Sequence, residues 1–272
     1  MQIEFNISGV RYSADTSNPV DISIPMIFNG DQPNTYDVPK AEAQAYEQGD
    51  FIGDVRRGGG CNFERYTLIP HCNGTHTEGV GHISYDRIYI NNILKDSFIP
   101  ATLISIETIR GEETDEYYIP DKEDGNYLIT RQWIESRLAN ADAGFLKALV
   151  IRTLPNDDSK KSRRYMDDLP PFFSVDAMEF IDQLGVEHLL IDIPSVDRTF
   201  DEGKLTTHHI FWNVEQGSHD IDKNNHSMKT ITEMVYVPNE IPDGQYMINI
   251  QIPNFTADAA PSRVFIYKVK SL

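Results

Sequence analysis

Residues 71–82 concentrate side chains that can bind a metal ion. This twelve-residue stretch, HCNGTHTEGVGH, contains three histidines, one cysteine and one glutamate. Imidazole, thiolate and carboxylate groups are the ligands that proteins offer to zinc and to other divalent transition metals. An isolated histidine is more often an ordinary packed or exposed side chain, but five ligand types this close together predict a metal site.

The spacing within this stretch indicates which side chains can act together. Four of them, which are separated by even offsets, are Cys72, His76, Glu78 and His82. On an extended strand, side chains at even offsets share one face. Fully extended, however, this segment would span about 33 Å, at about 3.3 Å per residue, which is too long for one site. The chain must therefore bend, and three glycines in the stretch allow it to do so. His76 and Glu78 form the best-placed pair.

Strands that could position these groups are spread over the whole chain. Apolar alternation and short β-branched runs mark them. The predicted strands are 3–12, 21–26, 63–69, 102–109, 148–153, 188–193, 246–252 and 264–269.

Helices are fewer than strands. Thr130 and Ser174 stand at N-cap positions before runs with helical spacing, and Gly185 is placed to end the second helix, over 175–184. A third helix is predicted over 206–212. Strands with interspersed helices predict an α/β fold with a mixed sheet and a few helices. Because no Gly-, Pro- or Ser-rich linker interrupts the chain, we expect a single domain over 1–272.

Two polar stretches are predicted to be loops. Residues 156–171 concentrate basic side chains between acidic pairs, which is typical of a solvated loop rather than of a docking patch. Residues 213–229 are equally polar and carry His219 and His226. This second loop could lie over a site.

Composition excludes several classes of protein. The 272 residues include 24 Lys+Arg and 42 Asp+Glu, for a net charge of −18. This excess of acidic charge would repel nucleic acid and anionic membranes. The N-terminal residues show no secretory signal, and no apolar run is long enough to span a membrane. We therefore expect a soluble, cytoplasmic protein whose two cysteines are not joined in a disulfide.

The segment GTHTEGVGH, preceded by Cys72, resembles the signature His-x-Gly-Thr-His-x-Asp-x-Pro-x-His of the metal-dependent cyclase family, which contains bacterial kynurenine formamidases and isatin hydrolase. Further segments are similar to the family in the same order along the chain. They are DISIPM at 21–26, GVEHLLIDIPSVD at 185–197, HHIFW at 208–212 and ITEM at 231–234. This order is more specific than a single motif.

The sequence departs from the signature at three positions. Cys72 stands at the first histidine, Glu78 at the aspartate and Val80 at the proline. A thiolate can bind zinc, but the neighbouring His71 could take its place, so the sequence leaves the first ligand open between Cys72 and His71. Glu78 adds one methylene, which could alter the spacing or the choice of metal.

The resemblance implies a swivelling β/β/α fold, one or two Zn²⁺ or alternatively Mn²⁺ ions per chain, and a homo-oligomer, either a dimer or a tetramer. The implied metal ligands are His76, Glu78, His208 and Glu233, with Cys72 as an additional ligand. His82 would be the general acid/base, or else a ligand of a second metal, in which case His209 is the next candidate for proton transfer.

The resemblance also implies the reaction. The substrate would be a small-molecule amide, either an aryl formamide, a lactam or a cyclic imide, hydrolysed by a metal-activated water. The alternative is a non-catalytic, metal-containing protein of the same fold that binds a ligand.

Overall fold

The computed structural model of the chain describes residues 1–272, with five α-helices and eighteen β-strands. The helices are α1 (Pro70–Asn73), α2 (Ile90–Ile93), α3 (Arg131–Leu138), α4 (Val175–Gln183) and α5 (Thr206–Phe211). The strands are β1 (Gln2–Ile7), β2 (Val10–Asp15), β3 (Val20–Asp21), β4 (Glu42–Ala45), β5 (Glu47–Gln48), β6 (Phe51–Ile52), β7 (Glu64–Thr67), β8 (His76–Glu78), β9 (Ile99–Glu107), β10 (Ile109–Arg110), β11 (Tyr127–Ile129), β12 (Ala148–Leu154), β13 (Phe172–Phe173), β14 (His188–Ile191), β15 (Thr230–Glu233), β16 (Gly244–Gln251), β17 (Ala259–Pro261) and β18 (Arg263–Ser271). None of the helices combines the length and the apolar character that crossing a bilayer requires.

Eleven strands form one mixed sheet, which confirms the predicted α/β class. Ten of them follow the order β1-β2-β18-β16-β9-β12-β14-β15-β8-β17, and β3 pairs with β18 at the side. The four strands β9, β12, β14 and β15 run parallel to one another. On either side of them, β16 pairs with β9 and β8 pairs with β15 in antiparallel orientation. The small sheets β10-β11-β13, β4-β7 and β5-β6 lie outside this sheet.

Strand β12 shows why the parallel strands are central. Its sequence, ALVIRTL, begins with four consecutive apolar residues, as expected for a strand covered on both faces. Leu149 and Ile151 pack with residues of α3 and α4, whereas Val150 packs on the opposite face with Ile248. Alternate side chains thus enter two separate hydrophobic cores, one on each side of the sheet.

All three predicted helices are present as α3, α4 and α5, but their caps differ from the prediction in one case. Ser174 accepts a hydrogen bond from the Ala177 amide at 3.0 Å, as an N-cap serine does. Thr130 makes no such bond. The Glu116 carboxylate accepts from the amide of Arg131 at 2.8 Å instead, because it reaches this helix end from a distant loop.

Most of the predicted strands are confirmed, and two are wrong. Residues 3–12 are a hairpin of β1 and β2, because Ser8 (φ 51°) and Gly9 (φ 83°) turn the chain with left-handed backbone angles. Of residues 21–26, only Asp21 lies in a strand, and Ser23 forms an isolated bridge with Val235. Apolar alternation alone could not distinguish these segments from continuous strands.

The two predicted loops contain no α-helix or strand, but the first is not wholly solvated. Lys160 is buried and donates to Asp192 Oδ2 at 2.7 Å. The reason is that Asp192, which directly follows β14, is itself fully buried and takes this ammonium as its counter-ion.

Candidate metal centre

His76 and Glu233 face each other across two neighbouring strands. Strand β8 pairs antiparallel with β15, so that Glu233 lies opposite His76 and Ile231 opposite Glu78. Because side chains alternate along a strand, His76, Glu78 and Glu233 project from the same face of the sheet. All three are buried. The shared face predicted for His76 and Glu78 is therefore present, although the strand is only three residues long.

His208 is brought to this face by helix α5. The helix begins over Asp197, whose carboxylate accepts hydrogen bonds from the Thr207 amide at 2.7 Å and the His208 amide at 3.3 Å. Within the first turn, His208 Nδ1 also lies 2.5 Å from Asp197 Oδ2. Its other ring nitrogen, Nε2, lies 2.9 Å from Glu78 Oε1.

Three partly exposed side chains complete the cluster on its outer side. His71 Nδ1 lies 2.9 Å from Glu78 Oε2, and His71 Nε2 lies 3.0 Å from Asp258 Oδ2. His82 Nδ1 lies 3.8 Å from Glu78 Oε2 and 3.5 Å from Asp258 Oδ2. The side chains of His71, His82 and Asp258 are 26, 27 and 45% exposed, so that this side of the cluster is in contact with solvent.

The structure therefore brings together five of the six predicted site residues. Three sets of potential ligands have their donor atoms within 4.8 Å of one another: His71, His76 and Glu78; His71, His82 and Asp258; and Glu78, His82 and His208. Glu233 joins them through His76, at 3.3 Å. Cys72 belongs to none of these sets. Its thiol is buried, and burial together with the charge of Glu233 raises the pKa of Cys72 to about 11.

Sequence reasoning missed two carboxylates of the cluster. Asp197 lies in the segment DIPSVD, which resembles a family segment, so a signal for it was present. Asp258 carried no signal, because it lies in a loop 176 residues after His82 (258 − 82). His209, the alternative to His82 for proton transfer, is buried with its Nδ1 unpartnered, and it belongs to none of the three sets.

The electrostatic environment of the cluster favours a cation. Burial by itself would raise the pKa of Glu78, but the imidazoles of His82, His208 and His71 outweigh burial and hold this pKa well below its usual range. Burial and the charge of Glu78 raise the pKa of Glu233. Burial alone would lower the pKa of His71, but Asp258 and Glu78 raise it to about 10. Positive charge between these carboxylates is therefore stabilised.

The donor set fits a metal ion. His76 Nδ1 lies 3.0 Å from the Gly74 carbonyl oxygen, which places the proton on Nδ1 and leaves a lone pair on Nε2. Nε2 is buried and makes no hydrogen bond, although it lies 3.3 Å from Glu233 Oε2. Two lone-pair atoms thus face each other in a buried space. His208 repeats the pattern, since its Nδ1–H donates to Asp197 and Nε2 faces Glu78; this is the carboxylate–histidine arrangement typical of metal ligands.

A cavity of about 670 Å³ borders the segment that leads into α5. Tyr36, Phe200 and Leu205 contribute to its wall, and Leu205 is the residue directly before α5. The Tyr36 hydroxyl donates to the Thr199 carbonyl oxygen at 3.2 Å, which ties the Tyr36 loop to this segment. The volume of the cavity is in the range of sites that bind small molecules.

The chain is similar to known proteins both in sequence and in fold. The family model Cyclase matches residues 15–198 of this chain. A kynurenine formamidase from Bacillus cytotoxicus is 23% identical over 257 residues, which cover 91% of this chain and 96% of that relative.

Two solved structures share the fold. One is a predicted metal-dependent hydrolase from Bacillus stearothermophilus, with a TM-score of 0.54, 14% identity and coverage of 92% of this chain and 98% of that one. The other is isatin hydrolase A from Labrenzia aggregata bound to benzyl benzoate, with a TM-score of 0.58, 14% identity and coverage of 92% and 93%.

Proposed function

The chain belongs to the cyclase family, and we propose that it is a metal-dependent hydrolase that cleaves the C–N bond of a small non-peptide amide. The observation that carries the proposal is the unpartnered, buried Nε2 of His76 facing the Glu233 carboxylate. The kynurenine formamidase relative and the isatin hydrolase neighbour support the reaction class, since both names denote hydrolysis of a C–N bond.

The proposed ligands are His76, Glu78, His208 and Glu233. One or two ions would be held per chain, because Glu78 belongs to two of the ligand sets. Imidazole and carboxylate donors suit Zn²⁺, with Mn²⁺ as the alternative. When bound, such an ion supplies Lewis-acid polarisation of the substrate carbonyl and activation of the attacking water.

Other side chains of the cluster would orient a ligand and transfer a proton. Asp197 holds His208 in one tautomer through its Nδ1 contact and so fixes the direction of Nε2. His82 engages Glu78 and Asp258 through Nδ1, which leaves Nε2 as the nitrogen that can carry a proton to the leaving amine. Its partial exposure, 27%, gives the substrate access to this nitrogen.

The proposed substrate is an aryl formamide, a lactam or a cyclic imide. The names kynurenine formamidase and isatin hydrolase denote an aryl formamide and a lactam as the substrates of those two proteins. The wall of the cavity at the segment before α5 presents the aromatic rings of Tyr36 and Phe200. Phe200 is 59% exposed, so its ring is available to stack on an aromatic substrate. We also propose that the protein is cytoplasmic and forms a homo-oligomer.

The test combines metal analysis with a substrate panel. Untreated purified protein is analysed for metal content, then assayed on N-formyl arylamines, isatin-like lactams, cyclic imides and lactones. We expect bound Zn²⁺ or Mn²⁺, turnover of at least one amide, loss of turnover after chelation and recovery with the metal.

The panel also decides between the proposal and its alternative. Cys72, Glu78 and Val80 depart from the family signature, and such changes could leave a metal-containing ligand binder. Bound metal without turnover of any compound would favour that binder. Protein without any metal would contradict both.

A further inference from the structure

We propose that His71, and not Cys72 at the signature position, is the first metal ligand of this chain, and that Asp258 is the residue that positions it. The inference rests on the proposed metal site. It assigns a ligand one residue away from the position that the family pattern indicates, together with a carboxylate from the C-terminal part of the chain.

The helical turn that carries both residues points their side chains in different directions. Helix α1 (Pro70–Asn73) is a single turn, and consecutive side chains on a helix point about 100° apart. Asn73 fixes the rotation of this turn: its Oδ1 accepts from the Ile69 amide at 2.7 Å, and its Nδ2 donates to the Pro39 carbonyl oxygen at 3.2 Å. The turn is therefore held in one orientation.

In this orientation, His71 faces the cluster. Its ring centre lies 5.1 Å from that of His76 and 4.4 Å from that of His82. Its Nδ1 lies 2.9 Å from Glu78 Oε2 and, with His76 and Glu78, forms a set whose donor atoms are within 4.8 Å of one another. Cys72 is 6% exposed, and its thiol belongs to no such set.

Asp258 holds the other ring nitrogen of His71. Its Oδ2 lies 3.0 Å from His71 Nε2 and accepts a hydrogen bond from the Nε2 proton. Nδ1, which lies 2.9 Å from Glu78 Oε2, is therefore the nitrogen left to bind a metal in place of its own proton. The Asp197 carboxylate orients His208 within the same cluster in the same manner, by accepting a hydrogen bond from Nδ1, the nitrogen that faces away from Glu78. Carboxylates in this role typically change metal affinity about 10–100-fold when they are removed.

The backbone around Asp258 explains why it can serve this role. Its carbonyl oxygen accepts from the Gly79 amide at 3.3 Å, and strand β17 (Ala259–Pro261) pairs with β8 so that Ala259 lies opposite Glu78. The same strand pairing thus positions Glu78 and Asp258. The loop before β17 is tied down by the Ile90 amide, which donates to the Ala257 carbonyl oxygen at 2.8 Å.

The experiment measures metal affinity by chelator competition, with metal content by elemental analysis, on four variants and the wild-type protein. His71→Ala should lose most of the bound metal, and Cys72→Ala should bind it with unchanged affinity. Asp258→Asn should weaken binding about 10–100-fold, and Asp258→Glu should restore part of the loss. Circular dichroism checks that each variant is folded.

A measurement on the wild-type chain needs no substitution. The Co²⁺-loaded protein should show no thiolate-to-cobalt charge-transfer absorption in the near ultraviolet, because no sulfur is bound. Such a band, or loss of metal in Cys72→Ala with retention in His71→Ala, would overturn the assignment of His71. Losses of equal size in Asp258→Asn and His71→Ala would overturn the positioning role of Asp258. Wild-type protein that binds no divalent metal would instead contradict the proposed function itself.

Discussion

His208 Nδ1 and Asp197 Oδ2 lie 2.5 Å apart in the buried core of the cluster. The same carboxylate accepts from the Tyr118 hydroxyl at 2.7 Å and from the Thr207 hydroxyl at 2.6 Å. Burial alone would raise the pKa of Asp197, but the charge of His208 and the hydrogen bonds from His208 and Thr207 outweigh it and hold the pKa below its usual range. An ionised carboxylate whose two oxygens both accept hydrogen bonds is a rigid support for the imidazole.

Asp197→Asn should therefore weaken metal binding about 10–100-fold, because an amide can donate to Nδ1 and favour the wrong tautomer of His208. Chelator competition measures the change. The control is Asp201→Asn, since Asp201 contacts the same Tyr118 hydroxyl, at 3.3 Å, but not His208. Equal losses in the two variants would show that the effect is structural rather than specific to His208.

His76→Ala should remove most of the bound metal. Its Nε2 is the buried lone pair that faces Glu233, and the loss of a ligand also removes the stability that metal binding adds to the folded state. Elemental analysis after dialysis measures the metal, and thermal melting measures the stability. His226→Ala, in the loop that follows α5, is the control and should retain the metal. Unchanged occupancy in His76→Ala would contradict the site.

His82→Asn should separate metal binding from chemistry. If His82 moves a proton, the variant keeps its metal and its affinity for a substrate-like inhibitor, while turnover of the best amide falls about 10²–10⁴-fold. Turnover and metal content are measured on the same preparation. A parallel loss of metal would identify His82 as a ligand of a second ion, as its place in the set with Glu78 and His208 also allows.

The buried pair of Lys160 and Asp192 predicts a large loss of stability. The two side chains are 3% and 0% exposed, and Nζ lies 2.7 Å from Oδ2. Lys160→Ala leaves the Asp192 charge buried without its partner, so the free energy of unfolding should fall by about 3–5 kcal/mol. The neighbouring Lys161 is 44% exposed, and Lys161→Ala should change the free energy of unfolding by no more than about 0.5 kcal/mol. Urea denaturation of the two variants tests the difference.

His188 predicts a loss of stability at low pH. It is buried at the start of β14, with Nδ1 2.8 Å from Thr230 Oγ1 and Nε2 3.2 Å from Asp96 Oδ2. Burial outweighs Asp96 and lowers the pKa of His188 below its ordinary value of 6.5. Below pH 6.5 the unfolded chain therefore binds a proton here that the folded chain does not. The free energy of unfolding keeps its full value above pH 6.5 and falls as the pH decreases toward the folded-state pKa.

His188→Gln should show a shallower decline than the wild-type protein over this window. The difference in slope for one proton is at most about 1.4 kcal/mol per pH unit. Urea denaturation at a series of pH values measures it, and all other titrating groups are common to the two proteins. Parallel curves would show that His188 does not contribute.

Features that depend on neighbours along the chain could be predicted without a structure. Alternation and apolar runs predicted β12, β14, β16 and β18, and the caps and spacing predicted α3, α4 and α5. The density of ligand types in residues 71–82 predicted a metal site there, because a motif of this length brings its groups together by local bends alone.

Contacts between distant segments of the chain could not be predicted in this way. His71 and Asp258 are 187 residues apart, and they come together because β17 and β15 pair with opposite edges of β8. The choice between His71 and Cys72 depends on the rotation of one helical turn, which the contact of Asn73 with the distant Pro39 sets. Residue types and spacing carry no information on either contact, because both depend on how remote strands and loops pack together.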